Sequence, residues 1–134
     1  MTVGKTRDAG WQIGVSRVLD HPLEVVWKTL ASNPEVWLGA GARLPAEVGA
    51  PWHIGDREAG ELRSLRHHDR VRLTLRSADG TSETTVQAAV RSVSRSRTTV
   101  RFHQERMRDA TEREAQRAHW VVVVARLAEH LGAG

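Results

Sequence analysis

The sequence contains no cysteine. This absence excludes disulfide bonds, thiolate catalysis and cysteine-ligated zinc, and it is compatible with a reducing compartment. Long hydrophobic runs are missing too, since no stretch approaches the roughly 20 apolar residues of a membrane span. Residues 1–10 lack the apolar centre of a signal peptide. We therefore expect a cytoplasmic protein with no membrane span.

Aromatic residues and lysine are also scarce. The chain has no tyrosine, one phenylalanine and five tryptophans, and its only lysines are Lys5 and Lys28. The net charge of +4 is thus carried almost wholly by arginine, but 16 acidic residues are interspersed with the basic ones. Because no block of basic residues forms and few aromatics are present to stack on bases, we predict no nucleic-acid partner.

The length of 134 residues fits a single domain with a real core. The first ordered pattern begins at Trp11 and the last ends at Leu131. We therefore expect a flexible tail over 1–10, one domain over 11–131 and a short tail over 132–134.

The domain opens with a strand and two short helices. The stretch "WQIGVSRVL" alternates, with Ile13, Val15 and Leu19 on one face. In "DHPLEVVWKTLAS" Asp20 or His21 can cap a helix whose first turn holds Pro22. The segment "SNPEVWLGAG" repeats this pattern over a shorter span, with Asn33 as the expected cap.

An antiparallel meander is predicted from Pro45 to Arg106. Turn signals occur at "GD" (55–56), "HHD" (67–69), "ADG" (78–80) and "SRSR" (94–97). The Asp79-Gly80 pair favours a type I′ hairpin, which needs positive φ at both central residues. Between the turns, apolar and charged residues alternate, which predicts one buried and one solvated sheet face.

The segment "RAHWVVVVARLAEHL" combines four valines, which favour strands, with neighbours that favour helices. Asp109 with Glu112, or Thr111 with Glu114, forms a capping box upstream, and Gly132 ends the pattern downstream. The valines cost a helix about 2 kcal/mol in propensity, whereas burying two side chains returns about 3–6 kcal/mol. We therefore predict one long helix with a buried stripe of Arg117, Trp120, Val124, Leu127 and Leu131, broadened by Val121, Val123 and Ala128.

The order of these elements resembles the helix-grip fold of the START-like superfamily, also called the SRPBCC or polyketide cyclase superfamily. Within it, "VSRVLDHPLEVVWKTLASNPEVWLG", "GAPWHIGDREAGELRSLRHHDRVRLTLR" and the segment from Trp120 to Leu131 are similar to the activator of heat-shock-protein ATPase homologue subgroup. The resemblance implies an α+β fold in which a curved antiparallel sheet wraps around a long C-terminal helix. Members of the superfamily carry lipids or hormones, catalyse cyclase or hydratase reactions, serve in stress and resistance, or contact chaperones. A shared fold does not select among these tasks.

The resemblance implies a cavity between the sheet and the C-terminal helix, and our first hypothesis is that it binds a small, largely apolar molecule. Tryptophan offers a large apolar area at little rotamer cost, which suits a flat hydrophobic ligand. The residues expected to bind the ligand are Trp37, Trp52, Leu73, Phe102, Trp120 and Val124. The alternative is that these side chains simply fill the core.

A second hypothesis is an enzyme of the polyketide cyclase or hydratase kind. His53 and His119 each neighbour a tryptophan and are the candidate acid–base groups, and Arg17, on the apolar face of its strand, could polarise a carbonyl. Gln104 could be a further polar anchor, whereas Glu58 or Glu61 could instead pair with Arg17. We favour binding over turnover. Adjacent His67 and His68 would point to opposite faces if extended, and they lie in a predicted turn, so we predict no metal site, and we expect no cofactor.

A third hypothesis is a co-chaperone-like interaction module. It would use the basic outer sheet face of Arg72, Arg76, Arg91 and Arg101 to bind a protein partner. A homodimer is also compatible with a domain of this size.

Overall fold

A computed structural model describes residues 5–6 and 10–132 of the chain. Eight strands and three helices are present in these residues. In chain order they are β1 (Lys5–Thr6), β2 (Gly10–Leu19), α1 (Leu23–Ser32), α2 (Glu35–Leu38), β3 (Ala42–Arg43), β4 (Pro51–Ile54), β5 (Arg57–Arg66), β6 (Arg70–Arg76), β7 (Glu83–Ser94), β8 (Arg97–Met107) and α3 (Ala110–Leu131).

The strands form one antiparallel sheet in the order β1-β2-β8-β7-β6-β5-β4-β3. The sheet curves, and α3 packs along it, chiefly over β2. The predicted helix-grip fold is confirmed. Since β2 pairs with β8, the first long strand lies beside the last one, directly under the C-terminal helix.

The core lies on the inner face of the sheet. Val71 and Leu73 of β6 are fully buried, whereas Arg72 between them faces the other side. The same alternation places Val100 and Phe102 of β8 in the core. The pattern of alternating residues therefore predicted the buried face correctly.

The long C-terminal helix is confirmed, and its N-terminus is capped as predicted from Asp109 and Glu112. The Glu112 amide donates a hydrogen bond to Asp109 Oδ1 at 2.8 Å, and Gly132 follows the last turn with a φ of +86°. The buried stripe differs from the prediction at two positions, since Arg117 and Val121 are exposed, whereas Val123 is buried beside Val124 as predicted. A run of four valines covers every side of a helix, so its periodicity does not determine which valines face the sheet.

The expected side-chain caps of the first two helices were wrong. Pro22 occupies the position before α1 and Pro34 the position before α2, and neither helix has a side-chain capping bond. A proline that precedes a helix still fixes φ near the helical value, so both helices begin within two residues of the predicted position.

The turns at 55–56, 67–69 and 95–96 connect strands where the sequence indicated them. The Asp79-Gly80 turn is not a type I′ hairpin, because only Gly80 has positive φ. Residues 77–82 instead form a six-residue loop in which Asp79 Oδ1 accepts hydrogen bonds from Ser77 and Thr81. These bonds hold the pKa of Asp79 well below its usual range.

The predicted tails lie mostly outside the described residues, although Lys5–Thr6 pairs with β2 as β1. No helix among residues 5–6 and 10–132 is long and apolar enough to cross a membrane.

Candidate functional site

The structure buries all six residues that the sequence suggested for ligand binding. Each is at most 5% exposed, and they come from α2, β4, β6, β8 and α3. They are Trp37, Trp52, Leu73, Phe102, Trp120 and Val124.

Three of their rings pack against one another at the centre of the core. The Phe102 ring lies 5.0 Å from the Trp120 ring, nearly parallel to it, and 5.8 Å from the Trp37 ring. Phe102 on β8 therefore connects α3 to α2 through aromatic contacts.

The three indoles among these six residues also have hydrogen-bond partners. Trp37 Nε1 donates to the Leu30 carbonyl at 2.9 Å, and Trp52 Nε1 donates to the Thr74 carbonyl at 2.7 Å. Trp120 Nε1 donates to Gln104 Oε1 at 2.8 Å. Their packing and hydrogen bonding account for these side chains as core residues, and their role in ligand binding stays a prediction.

A groove with a volume of about 620 Å³ opens between the end of β2 and the C-terminal half of α3. Leu19, Ala125 and Ala128 contribute apolar surface to it, and Arg17 and Glu129 contribute charge. Arg17 pairs with Val100 in the register of β2 and β8, which places it on the inner side of the sheet, as its alternation predicted. The groove thus lies between the sheet and the helix, nearer the surface than the six buried residues.

The Arg17 guanidinium has no ion-pair or hydrogen-bond partner among the described residues. The predicted partners bind elsewhere, since Glu61 pairs with Arg63 at 3.1 Å and Glu58 lies 3.9 Å from Arg76. Arg17 is exposed to the groove. An arginine with free donors in a groove that also has apolar walls can bind a carboxylate or a carbonyl oxygen.

The other polar groups at the groove are partly engaged. Asp20 also lines the groove, and its Oδ1 accepts a hydrogen bond from Arg97 Nε at 3.2 Å. His21 Nε2 lies 2.9 Å from the Gly132 carbonyl, which ties the end of α3 to the end of β2. Glu129 therefore provides the negative charge on the helix side, and Arg17 provides the positive charge on the sheet side.

The candidate histidines are not at this groove. His53 is half-buried on β4. His119 is mostly exposed on α3, but its ring lies edge-on to Trp120 at 4.9 Å. Desolvation on that side, together with the Arg126 charge, lowers the pKa of His119 from its ordinary value of 6.5. Neither histidine lines the groove with Arg17, so the proposed acid–base pair is not assembled there.

His67 and His68 do not point to opposite faces, contrary to the expectation for an extended chain. His68 has a φ of +60°, and its ring stacks on that of His67 with 3.8 Å between the centroids. Both rings lie edge-on to Trp27, beside a second pocket of about 490 Å³. No group of three or more potential metal ligands occurs in the described part of the chain.

The outer sheet face is less basic than its arginine content suggests. Arg72 donates to Glu105 Oε1 at 2.7 Å, and Arg76 lies 3.8 Å from Glu83. Arg91 is exposed and has no ion-pair partner within residues 5–6 and 10–132, and the Arg101 guanidinium lies against Gly14.

No family model matches this sequence, and no curated protein matches it either. Solved structures do share its fold. CalU16 from Micromonospora echinospora superimposes with a TM-score of 0.78 at 12% identity, covering 95% of this chain and 81% of its own. DynU16, from the dynemicin biosynthetic locus, gives a TM-score of 0.76 at 19% identity over 90% of this chain. This chain spans only 46% of the length of DynU16.

A structure solved as the Aha1 dimer from Colwellia psychrerythraea gives a TM-score of 0.72 at 16% identity, covering 92% of this chain and 97% of its own. The START-like fold and its likeness to Aha1 proteins, inferred from the sequence, are therefore confirmed. At these identities the likeness establishes the fold alone.

Proposed function

We propose that this protein binds a small, largely apolar molecule carrying a carboxylate or carbonyl group, in the groove between β2 and α3. Arg17 binds the polar group, and Leu19, Ala125 and Ala128 contact the apolar part. The observation that carries this proposal is the Arg17 guanidinium on the inner side of the sheet, at a groove of about 620 Å³, where no residue of 5–6 or 10–132 pairs with it.

The size and chemistry of the groove support this assignment. Ligand sites commonly have volumes of about 300–1,000 Å³ and combine apolar walls with a few polar groups. A single unpaired arginine gives the bound molecule a defined orientation, because its donors are arranged for a planar carboxylate. Glu129 across the groove disfavours a second negative charge on the ligand.

In this proposal the six buried residues form the deeper part of the binding site. A ligand that reached Phe102 or Val124 would have to displace side chains packed under α3, so this interior site requires the helix to move away from the sheet. We propose the groove as the entry position and the interior as its extension. The cysteine-free composition supports a cytoplasmic setting for this binding.

Two alternatives have less support. Turnover by His53 or His119 requires these rings to reach a ligand held by Arg17, and neither lines the groove. A co-chaperone-like role through the outer face is weakened because Arg72 and Arg76 are engaged with glutamates. We therefore propose binding without turnover.

The test is isothermal titration calorimetry with two flat probes of similar shape, 2-naphthoate and 2-naphthylmethanol. A hydrogen bond to a charged group contributes about 1.5–3 kcal/mol, so we expect the carboxylate to bind at least about tenfold more tightly than the alcohol. Arg17→Gln should remove this difference. The matched control is Arg91→Gln, an exposed arginine on the outer face, which should leave both affinities unchanged.

Equal binding of both probes to the unaltered protein would contradict the role of Arg17. No binding of either probe at millimolar concentration would reject the groove as a site for flat apolar molecules.

A further inference from the structure

The strand β2 lies near one end of the sheet, and among residues 5–6 and 10–132 only β1 pairs with its outer edge. The neighbouring β1 pairs only with Gly10 and Trp11. From Gln12 to Leu19, β2 has a partner on the β8 side alone within the described residues. Open strand edges are sites at which another strand can pair.

The pattern of hydrogen bonds identifies which groups point to the open edge. The Val90 amide donates to the Asp69 carbonyl on the β6 side. The amide and carbonyl of each residue point to the same side and alternate along antiparallel strands. Val90 lies opposite Val100 in the register of β7 and β8, so the amide and carbonyl of Val100 point away from β7 and towards β2. On β2, Val100 lies opposite Arg17, so the amide and carbonyl of Arg17 point towards β8.

It follows that Gly14, Ser16 and Val18 direct their amides and carbonyls to the open edge. In the part of the chain that the structure describes, these groups have no hydrogen-bond partner. The next residue on this side, Gln12, has its carbonyl bonded to Arg113 Nε of α3 at 2.8 Å. One end of the edge thus contacts α3, and no described residue pairs with the outer side of the segment from Gly14 to Val18.

Two exposed valines of α3 lie along the same border of the molecule. Val121 is 46% exposed and Val122 is 54% exposed. Ala125 lines the groove beside β2, and Val121 lies one helical turn earlier on the same side. An open strand edge and an exposed apolar helix face therefore adjoin.

The helix and the strand run in the same direction, so their midpoints can be compared. Arg113 contacts Gln12 at one end, and Glu129 lines the groove with residues near Leu19 at the other. The helical segment is about 24 Å long and the strand segment about 23 Å. Ser16 and Val121 are thus both close to the middle of the border.

We propose that a second copy of this chain pairs with this border, β2 antiparallel to β2, on a two-fold axis at Ser16. Gly14 of each copy would then face Val18 of the other, with about six backbone hydrogen bonds across the axis. The same rotation brings the two α3 helices together at Val121. A foreign extended peptide would satisfy the strand edge but would leave the helix valines exposed, which favours a second copy.

This inference does not rest on the proposed ligand, but Val18 and Ala125 of the border also line the groove. It predicts an assembly of the ligand-free protein.

The first test uses a disulfide that only this pairing can form. Because the chain has no cysteine, Ser16→Cys introduces a single thiol that would lie opposite its own copy. Cα atoms in a hydrogen-bonded antiparallel pair are about 5.5 Å apart, within the range for a disulfide. We expect mild oxidation to convert most of the variant to a covalent dimer on non-reducing gels. The control Ser96→Cys, in an exposed turn, should form far less.

The second test measures mass by analytical ultracentrifugation over a range of concentrations. The unaltered protein should sediment with twice the chain mass of 14.9 kDa. Val121→Glu should raise the dissociation constant by at least tenfold, whereas Val93→Glu, at a 53% exposed valine of β7, should not. Both variants replace exposed side chains, so circular dichroism should show an intact fold.

A monomer at all concentrations up to about 200 μM would overturn the proposal. So would a dimer that Val121→Glu leaves unchanged, or equal cross-linking by the two cysteine variants.

Discussion

A chain of buried hydrogen bonds joins α3 to the sheet and makes a quantitative prediction. Trp120 Nε1 donates to Gln104 Oε1 at 2.8 Å, and Gln104 Nε2 donates to Thr84 Oγ1 at 2.9 Å. The Thr84 hydroxyl lies 3.4 Å from the Leu75 carbonyl. Gln104 is 2% exposed and Trp120 is 1% exposed, so water does not replace these bonds readily.

Gln104→Met keeps the shape of the side chain and removes both of its hydrogen bonds. The Trp120 indole would become a buried donor without a partner, at a cost of about 1–3 kcal/mol. Thr84 loses one neutral hydrogen bond, which contributes about 0.5–1.5 kcal/mol. Burying an apolar side chain in place of an amide offsets about 1 kcal/mol of this total loss of stability. We expect the free energy of unfolding to fall by about 2 kcal/mol.

Urea unfolding followed by far-ultraviolet circular dichroism measures this change. The same substitution in a Trp120→Phe background should cost less than about 1 kcal/mol, because the orphaned donor is no longer present. Gln87→Met on the outer face removes only a long contact of 3.5 Å from Arg72, so this control should stay within about 0.5 kcal/mol. Our reasoning is refuted if Gln104→Met costs the same in both backgrounds, or costs no more than the control.

Two further predictions concern a glycine and a histidine. In Gly60→Ala the added Cβ would collide with the Thr74 carbonyl and lie 2.8 Å from Trp52 Nε1, so we expect a loss of more than about 3 kcal/mol in urea unfolding; an alanine variant as stable as the parent would contradict this contact. The lowered pKa of His119 means that the unfolded chain binds this proton more tightly than the folded protein does, so stability should decline as the pH falls through its ordinary value of 6.5. His119→Gln should reduce that decline in urea unfolding at several pH values, and an unchanged pH dependence would exclude this contribution.

Most of the fold could be predicted because local signals and burial agree over long elements. Asp109 and Gly132 delimit α3, and alternation in β6 and β8 separates the core from solvent. The sequence predicted both Val121 and Val123 on the buried stripe and could not show that Val121 is exposed, because the rotation of α3 depends on how Trp120 and Leu127 pack against the sheet.

The candidate site was harder to predict. Arg17 was recognisable as a charge on an apolar face, whereas Ala125 and Ala128 carry no chemical signature in the sequence. The stacked pair of His67 and His68 depends on one residue in the left-handed region, which the pattern of alternation does not reveal. Sites formed by loop geometry and by the meeting of distant elements are therefore the least visible in a sequence.

The aromatic arrangement around Phe102 also gives this protein a built-in optical signal. Because the chain has no tyrosine, its near-ultraviolet absorption at wavelengths longer than those of phenylalanine comes from five indoles. Trp120 of α3 and Trp37 of α2 both contact the Phe102 ring, so any separation of the long helix from the sheet changes the surroundings of an indole. Near-ultraviolet circular dichroism and tryptophan emission can therefore follow the movement of α3 in the native chain without an added label.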